Sequence, residues 1–350
     1  MPKRVNNIFM ENLKFKYMYD AYYRSSKGKH YNKEVILYEM NLAENILDSL
    51  KSLYNDTYKI GKYNKFKITI PKERIIEALP FKDRVIQQWY VEQFIKPIFI
   101  PKMIKDSYAC LPGRGVHKAV KTLKRYMYNT QKSNKNAYVL KCDISKFFYS
   151  IDKEILYQII SRKVKDQRFL KMTKQYIYDT EEREGIPIGN YTSQYFANIY
   201  LNELDHFIKE KCKIKYYIRY VDDFVLILND KKECIKMKNE IVEFLKKKLK
   251  LKLNKKTSYT RVDEGINFLG YKVYYSHILL KKSNKTKIYK RVRNFNKFYK
   301  RENFNQEKAT RSIVSWIAHA HNADTYKLIN DVIYRCDWIY NEKVDYYRNE

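Results

Sequence analysis

Three carboxylates carry the chemistry this sequence could perform. Asp222 and Asp223 stand side by side in YYIRYVDDFVLIL, residues 216–228, and Asp143 ends the apolar run of YVLKCDISKFFYSID, residues 138–152. Two like charges held together repel, and each is driven toward protonation unless a cation compensates them. Hard divalent cations such as Mg²⁺ prefer oxygen ligands, and beside phosphates they steady the attacking and leaving oxygens. An Asp-Asp pair alone is most often a solvated turn. A third carboxylate in similar surroundings tips the reading toward a metal site for phosphoryl transfer.

The flanking residues say how such a site would be positioned. The apolar runs on either side of the Asp pair are rich in Tyr, Ile, Val, Phe and Leu, and the polar break between them is short enough for a β-hairpin turn. Residues 138–142 read as a buried strand, which leaves Asp143 where the chain must turn. A strand ending in Asp beside a hairpin tipped with Asp-Asp can gather three carboxylates at one edge of a sheet.

With these motifs in view, the sequence strongly resembles the reverse transcriptases of the bacterial group II intron-like branch: DISKFF resembles their first palm motif and YVDDF their second. The resemblance implies RNA-directed DNA synthesis on an α+β right-hand polymerase fold, with fingers, a palm of antiparallel sheet packed on helices, and a helical thumb. It makes Asp143, Asp222 and Asp223 catalytic, and places two Mg²⁺ ions, for which Mn²⁺ could substitute, at Asp143, Ile144, Asp222 and Asp223. The corresponding division is an N-terminal helical extension over 1–55, fingers over 56–135, palm over 136–282 with a fingers insertion around 160–190, and thumb over 283–350.

Composition agrees with a polyanion as partner. Lys and Arg total 71 against 39 acidic residues, a net charge of +32 that favours nucleic acid first and an anionic membrane surface second. No apolar run is long enough to span a bilayer and the N-terminus lacks a signal-peptide core, so a cytoplasmic protein without a membrane partner is expected, and the resemblance implies a bacterial or phage-encoded one. A hydrophobic content of 45% in 350 residues allows a substantial core. The 35 Tyr could stack on bases, but with abundant Lys, Asn and Ile they also match the codon bias of an AT-rich genome. Cys110, Cys142, Cys212, Cys234 and Cys336 are scattered without CxxC spacing, which reads as reduced thiols and no zinc site. His319 and His321, two apart on a helical pattern, point in different directions and do not share a metal.

Along the chain, residues 8–27 and 32–53 have helical periodicity, and 55–70 read as a loop leading into a strand. Lys72 and Arg74 follow on an alternating strand, then a helix opens near Asp83, whose carboxylate could complement its dipole. Composition alone makes the two cations a solvated strand face; the resemblance makes Arg74, and with it Lys72, holders of the incoming triphosphate. A glycine-containing loop, 111–116, precedes a basic helix, and its Arg114 falls near the template strand in the family. The aromatic at the Phe148 position lies beneath the incoming sugar in the family and excludes a 2′-hydroxyl by bulk, which selects dNTPs. Residues 152–178 read as two helices and 231–250 as a basic amphipathic helix. Lys256 matches a palm lysine near the triphosphate, a proton donor for departing pyrophosphate. INFLGYKVYY, residues 266–275, alternates like a strand, and its Phe268, Leu269, Gly270 and Tyr271 resemble the hairpin that grips the primer end. From about residue 283 the pattern is helical and basic and suits the backbone of an RNA/DNA hybrid. Maturase, endonuclease and RNase H regions are not expected within these residues.

EGIPIGNYTSQYFANIYLNELDHFIKE, residues 184–210, gives a tight turn and then a helix that runs to about Lys209, with Thr192 or Ser193 able to cap. The wider family reads close to PQGxxxSP here, with Gln against the nascent base pair, whereas this chain has Ile188, Gly189 and Gln194 in PIGNYTSQ. An apolar side chain cannot make an amide's hydrogen bonds, so checking of the incoming nucleotide should loosen. IGxxxSQ is similar to the signature of diversity-generating retroelement reverse transcriptases, which copy with errors opposite template adenine. That resemblance implies an RNA template, a DNA or RNA primer, dNTPs and a small basic accessory protein. An anti-phage defence or other group II-like enzyme is the chief alternative; a non-catalytic RNA-binding or maturase-like protein is the alternative outside the class.

Overall fold

The computed structural model describes residues 4–69, 73–178, 184–299 and 304–339. They fall into two compact units, one of Met1–Arg114, Cys142–Phe224 and Lys236–Thr257, the other of Gly115–Lys141, Val225–Ile235 and Ser258–Glu350.

The first unit opens with α1 (Ile8–Asn12), α2 (Phe15–Ser26), α3 (Lys33–Met40) and α4 (Leu42–Tyr54). The two helical runs read from periodicity are therefore each divided. Asn41 shows why for the second: with φ −127° and ψ 45° it closes α3 and opens α4 at once. A two-stranded antiparallel ribbon follows, β1 (Asn64–Ile68) with β2 (Arg74–Ala78), in the register Ile68↔Arg74. Helix α5 (Phe81–Tyr90) continues through a π-helical turn, Val91–Ile95, into α6 (Lys96–Phe99). Its buried face carries Trp89 and Tyr90, which meet Phe94 and Phe169 in an aromatic cluster with ring separations of 5.0 to 5.9 Å. Asp83 lies in the first turn of α5 as expected, but its buried carboxylate also accepts the Tyr58 hydroxyl at 2.6 Å.

The basic helix α7 (Val116–Ser133) begins at Gly115 and leads to β3 (Tyr138–Asp143). Next come α8 (Lys153–Ser161), α9 (Gln167–Tyr178) and α10 (Tyr191–His206), and a further π-helical turn carries α10 to Lys211. The cap of α10 is Asn190 rather than Thr192 or Ser193, which sit buried in the first turn; Asn190 spends its amide on the Tyr63 hydroxyl at 2.8 Å. Strands β4 (Tyr216–Tyr220) and β5 (Asp223–Leu228) form the hairpin, α11 (Lys231–Leu249) follows, and β6 (Ser258–Arg261) completes a sheet of order β4-β5-β3-β6. The chain passes from one unit to the other within β3 and within β5. The antiparallel β3–β6 register pairs Tyr138 with Arg261 and Lys141 with Ser258.

In the second unit, β7 (Ile266–Phe268), β8 (Tyr271–Val273) and β9 (Ile278–Leu280) make an antiparallel meander. The stretch that alternated like a single strand is thus a hairpin. Helices α12 (Lys282–Tyr299), α13 (Gln306–Ala320) and α14 (Tyr326–Tyr334) then close around Ile288, Val292, Ile313, Val332 and Trp338. Among the described residues no helix is long and apolar enough to cross a membrane.

Candidate active site

The hairpin brings the Asp pair to its turn. Tyr220 ends β4, Val221 and Asp222 form the connection, and Asp223 begins β5. Asp143 ends β3, and the amide of the next residue, Ile144, donates to the Asp222 carbonyl at 3.3 Å. Residues widely separated in sequence thus become neighbours through one main-chain bond. A third segment holds the strand end from another side: the Asn254 amide donates to the Asp143 carbonyl at 2.7 Å, and Ser145 donates to Lys252 at 2.9 Å. Ile144 itself is buried, while all three aspartates are half-buried.

The turn is strained. Val221 has φ 56°, in the left-handed region that costs an L-residue about 1–2 kcal/mol, and Val has neither the freedom of Gly nor the local hydrogen bonding of Asn. A turn that opens on positive φ normally takes glycine there. Strain of this kind persists only where the surroundings over-determine it, and it concentrates at functional sites.

An oxygen-only donor set of half-buried carboxylates suits a hard divalent cation. As the side chains stand, no three His, Cys, Asp or Glu among the described residues form a ready cluster for an ion. The main-chain bond from Ile144 to Asp222 sets Asp143 and the Asp pair on adjoining stretches of backbone.

The segment around Ile188 is built against both the first motif and the ribbon. The Ile186 amide donates to the Phe148 carbonyl at 2.9 Å, and the Gly185 amide to Ile151 at 2.8 Å. Gly185 has φ 88°, and a Cβ there would lie 3.1 Å from the Tyr149 Cα. On the other side the Glu77 amide donates to the Ile188 carbonyl at 2.9 Å. At Gly189, φ is 121°, and a Cβ would meet Ile76 at 2.9 Å and the Glu77 carbonyl at 3.1 Å. Phe148 and Ile188 are half-buried, and Gly189, Gln194 and Arg74 are exposed. The structure therefore connects β2, with Arg74 at its start, to Ile188 and Phe148; Lys72 lies outside the described residues. Lys256 is exposed in the turn just after Asn254, the residue that holds Asp143. Arg114 is turned to a local task, its Nη1 donating to the carbonyls of Ile104 at 2.8 Å and Ser107 at 2.5 Å.

In the second unit, Phe268 and Tyr271 face each other across the base of the β7–β8 turn, and Leu269 and Gly270, with φ 49° and 91°, fit a turn that needs positive φ at both central residues. Phe268 and Tyr271 are buried, so the tip offers Leu269 and Gly270. The Tyr271 hydroxyl donates to the His319 carbonyl at 2.9 Å and lies 2.9 Å from His319 Nδ1 and 3.3 Å from His117 Nδ1. Burial pushes the Tyr271 hydroxyl up to about 12, and burial with the nearby His117 lowers His319.

Sequence reasoning passed over Arg219, which is fully buried two residues before the turn. The available signal was a lone cation inside an otherwise apolar strand, which cannot lie inward without a buried anion.

Residues 62–273 match the family described as reverse transcriptase (RNA-dependent DNA polymerase). Protein YkfC of Escherichia coli is 25% identical over 303 residues, covering 71% of this chain and 77% of that protein. The group II intron-encoded protein LtrA of Lactococcus lactis is 24% identical over 304 residues, covering 66% of this chain and 50% of its own, so the chain spans about half of LtrA's length. Apo telomerase from Candida tropicalis aligns with a TM-score of 0.47 at 14% identity, over 65% of this chain and 49% of that one. With the palm motifs inside the matched span, this chain belongs to the reverse transcriptase family of RNA-dependent DNA polymerases and is group II intron-like.

Proposed function

We propose that the chain extends a DNA or RNA primer along an RNA template with dNTPs, using Asp143, Asp222 and Asp223 as its catalytic carboxylates. The observation that carries this is the Ile144-to-Asp222 main-chain bond, which joins the end of the first motif to the turn of the second. Two Mg²⁺ ions held by these carboxylates would supply activation of the primer 3′-hydroxyl and neutralisation of the leaving pyrophosphate. The chain's own residues do the rest. Arg74 and Lys256 offer exposed cations to the triphosphate, the Phe148 ring occupies the space a 2′-hydroxyl would need, and the Leu269–Gly270 tip meets the primer.

The finer reading is the error-prone enzyme of a diversity-generating retroelement, supported by Ile188 and Gln194 in PIGNYTSQ. In this reading a small basic accessory protein helps hold the template RNA. The test is primer extension on RNA of mixed sequence, followed by sequencing of the cDNA. Asp143→Ala, Asp222→Ala and Asp223→Ala should each lose at least about 100-fold in rate with the melting temperature kept. Near-normal synthesis by any of them would remove that residue from the site. Errors concentrated opposite adenine support the finer reading, and accurate copies sink it.

A further inference from the structure

A closed polar network lies behind the turn that carries Asp222. Arg219 of β4 and Asp205 of α10 are both completely excluded from solvent. The guanidinium donates in a fork to Asp205, from Nε to Oδ1 at 2.7 Å and from Nη2 to Oδ2 at 2.6 Å, and the Tyr217 hydroxyl donates to the same Oδ1 at 2.7 Å. Arg219 Nη1 donates to Asn198 Oδ1 at 3.0 Å and to the Val221 carbonyl at 3.1 Å. Asn198 is anchored in turn, donating to the Ala109 carbonyl at 2.9 Å. Burial alone would lower the guanidinium's affinity for its proton, but Asp205 and Tyr217 more than offset this and raise it.

A buried ion pair is not by itself a reason for stability, since well-packed apolar residues of similar volume often do as well. What apolar residues could not supply is the bond to Val221. That carbonyl belongs to the peptide plane entering Asp222; the plane leaving Asp222 is held at its own carbonyl by the Ile144 amide. Both planes around one candidate catalytic residue are thereby fixed, across a turn whose Val221 sits at an unfavourable φ of 56°. We infer that Arg219 is a positioning residue: oriented by Asp205 and Asn198, it clamps the Val221 carbonyl, holds the left-handed turn, and so sets the direction in which Asp222 presents its carboxylate. The inference rests on the reading of Asp222 as a catalytic carboxylate.

The test compares Arg219→Lys, Asn198→Ala, Tyr217→Phe and Arg219→Lys/Val221→Gly by primer extension, Mg²⁺ titration and melting. Mn²⁺ binding, read by electron paramagnetic resonance without dNTP, gives a measure independent of turnover. Arg219→Lys keeps a cation for Asp205 but loses the fork and should lower kcat about 100-fold, the scale of a small misplacement of a catalytic group. It should also weaken Mn²⁺ binding and leave primer–template affinity unchanged. Adding Val221→Gly should restore part of kcat, because glycine adopts the left-handed turn without a clamp. Tyr217→Phe touches Asp205 but not the turn, and should lower melting while sparing kcat. If Arg219→Lys does not fold, Asn198→Ala decides by the same measures. The inference is overturned if the folded variants lose only melting temperature, or if glycine at 221 restores nothing. Full activity in Asp222→Ala would instead overturn the site on which it rests.

Discussion

At the residue scale, Ile188 separates what a side chain does from what its backbone does. Its carbonyl accepts the Glu77 amide, and its neighbour Gly189 leaves no room for a Cβ against β2, so the local path is fixed whatever the side chain at 188. Ile188→Gln should therefore keep the fold and the rate within a few fold, while restoring an amide that can contact the base pair. Misincorporation opposite template adenine should fall, read by sequencing of cDNA; an unchanged error spectrum would clear Ile188 of the effect. The departure at 188 was legible in the sequence because a local pattern, PIGN for PQG, carries it. Its bond to β2 was not, since pairing between distant segments leaves no local periodicity. Arg114 shows the converse: its type suits a phosphate, and its local bonds, Nη1 donating to two nearby carbonyls, are not visible in residue type alone.

At the scale of elements, the β4–β5 hairpin was visible as two apolar runs with a short break and the β7–β8 hairpin only through the family resemblance of FLGY, but neither turn conformation was, because Val221 and Leu269 are poor markers of positive φ. Leu269 precedes Gly270 in a two-residue turn where Asn-Gly is the favoured pair. Leu269→Asn should thus raise stability by roughly 0.5–1 kcal/mol in denaturant melts. If the Leu269 tip meets the primer, the same change should weaken primer extension; a gain in both would show that the tip has no such role. Helix α8 gives a pH-dependent case. Asp152 caps it, accepting the Ile155 amide at 2.9 Å, and receives Lys250 Nζ at 2.7 Å. Burial works against its charge, but Lys250 and the helix amides outweigh burial and hold the carboxyl below its ordinary value of 3.8. A depressed carboxylate contributes stability above its unfolded pKa and loses it as pH falls through the lower folded value. Asp152→Ala should cost about 1–2 kcal/mol at neutral pH, and the difference from wild type should shrink below about pH 4. A difference independent of pH would mean that packing, not charge, makes the contribution.

For the whole molecule, the net charge of +32 was the plainest signal in the sequence, yet charge alone cannot say where a polyanion lies. The structure narrows this in the second unit. Helix α12 buries Ile288 and Val292 and exposes Lys287, Lys290, Arg293 and Lys297, so its apolar stripe is spent on α13 and α14 while a basic stripe faces solvent. Lysines on a flexible stem at helical spacing meet phosphates as point charges and read no sequence. Each phosphate they neutralise releases condensed counterions, so affinity must fall as salt rises, with a slope of about 0.7–0.9 per contact. Replacing Lys287, Lys290, Arg293 and Lys297 with Ala should weaken binding to RNA/DNA hybrids of any sequence alike. The slope of log affinity against log salt should flatten by up to about 3.6. The measurement is a salt titration of hybrid binding by fluorescence anisotropy, with two unrelated sequences in parallel. Equal flattening for both would make this face a backbone clamp. An unchanged slope would move the hybrid to another basic surface, because a charge that does not displace counterions does not touch the backbone.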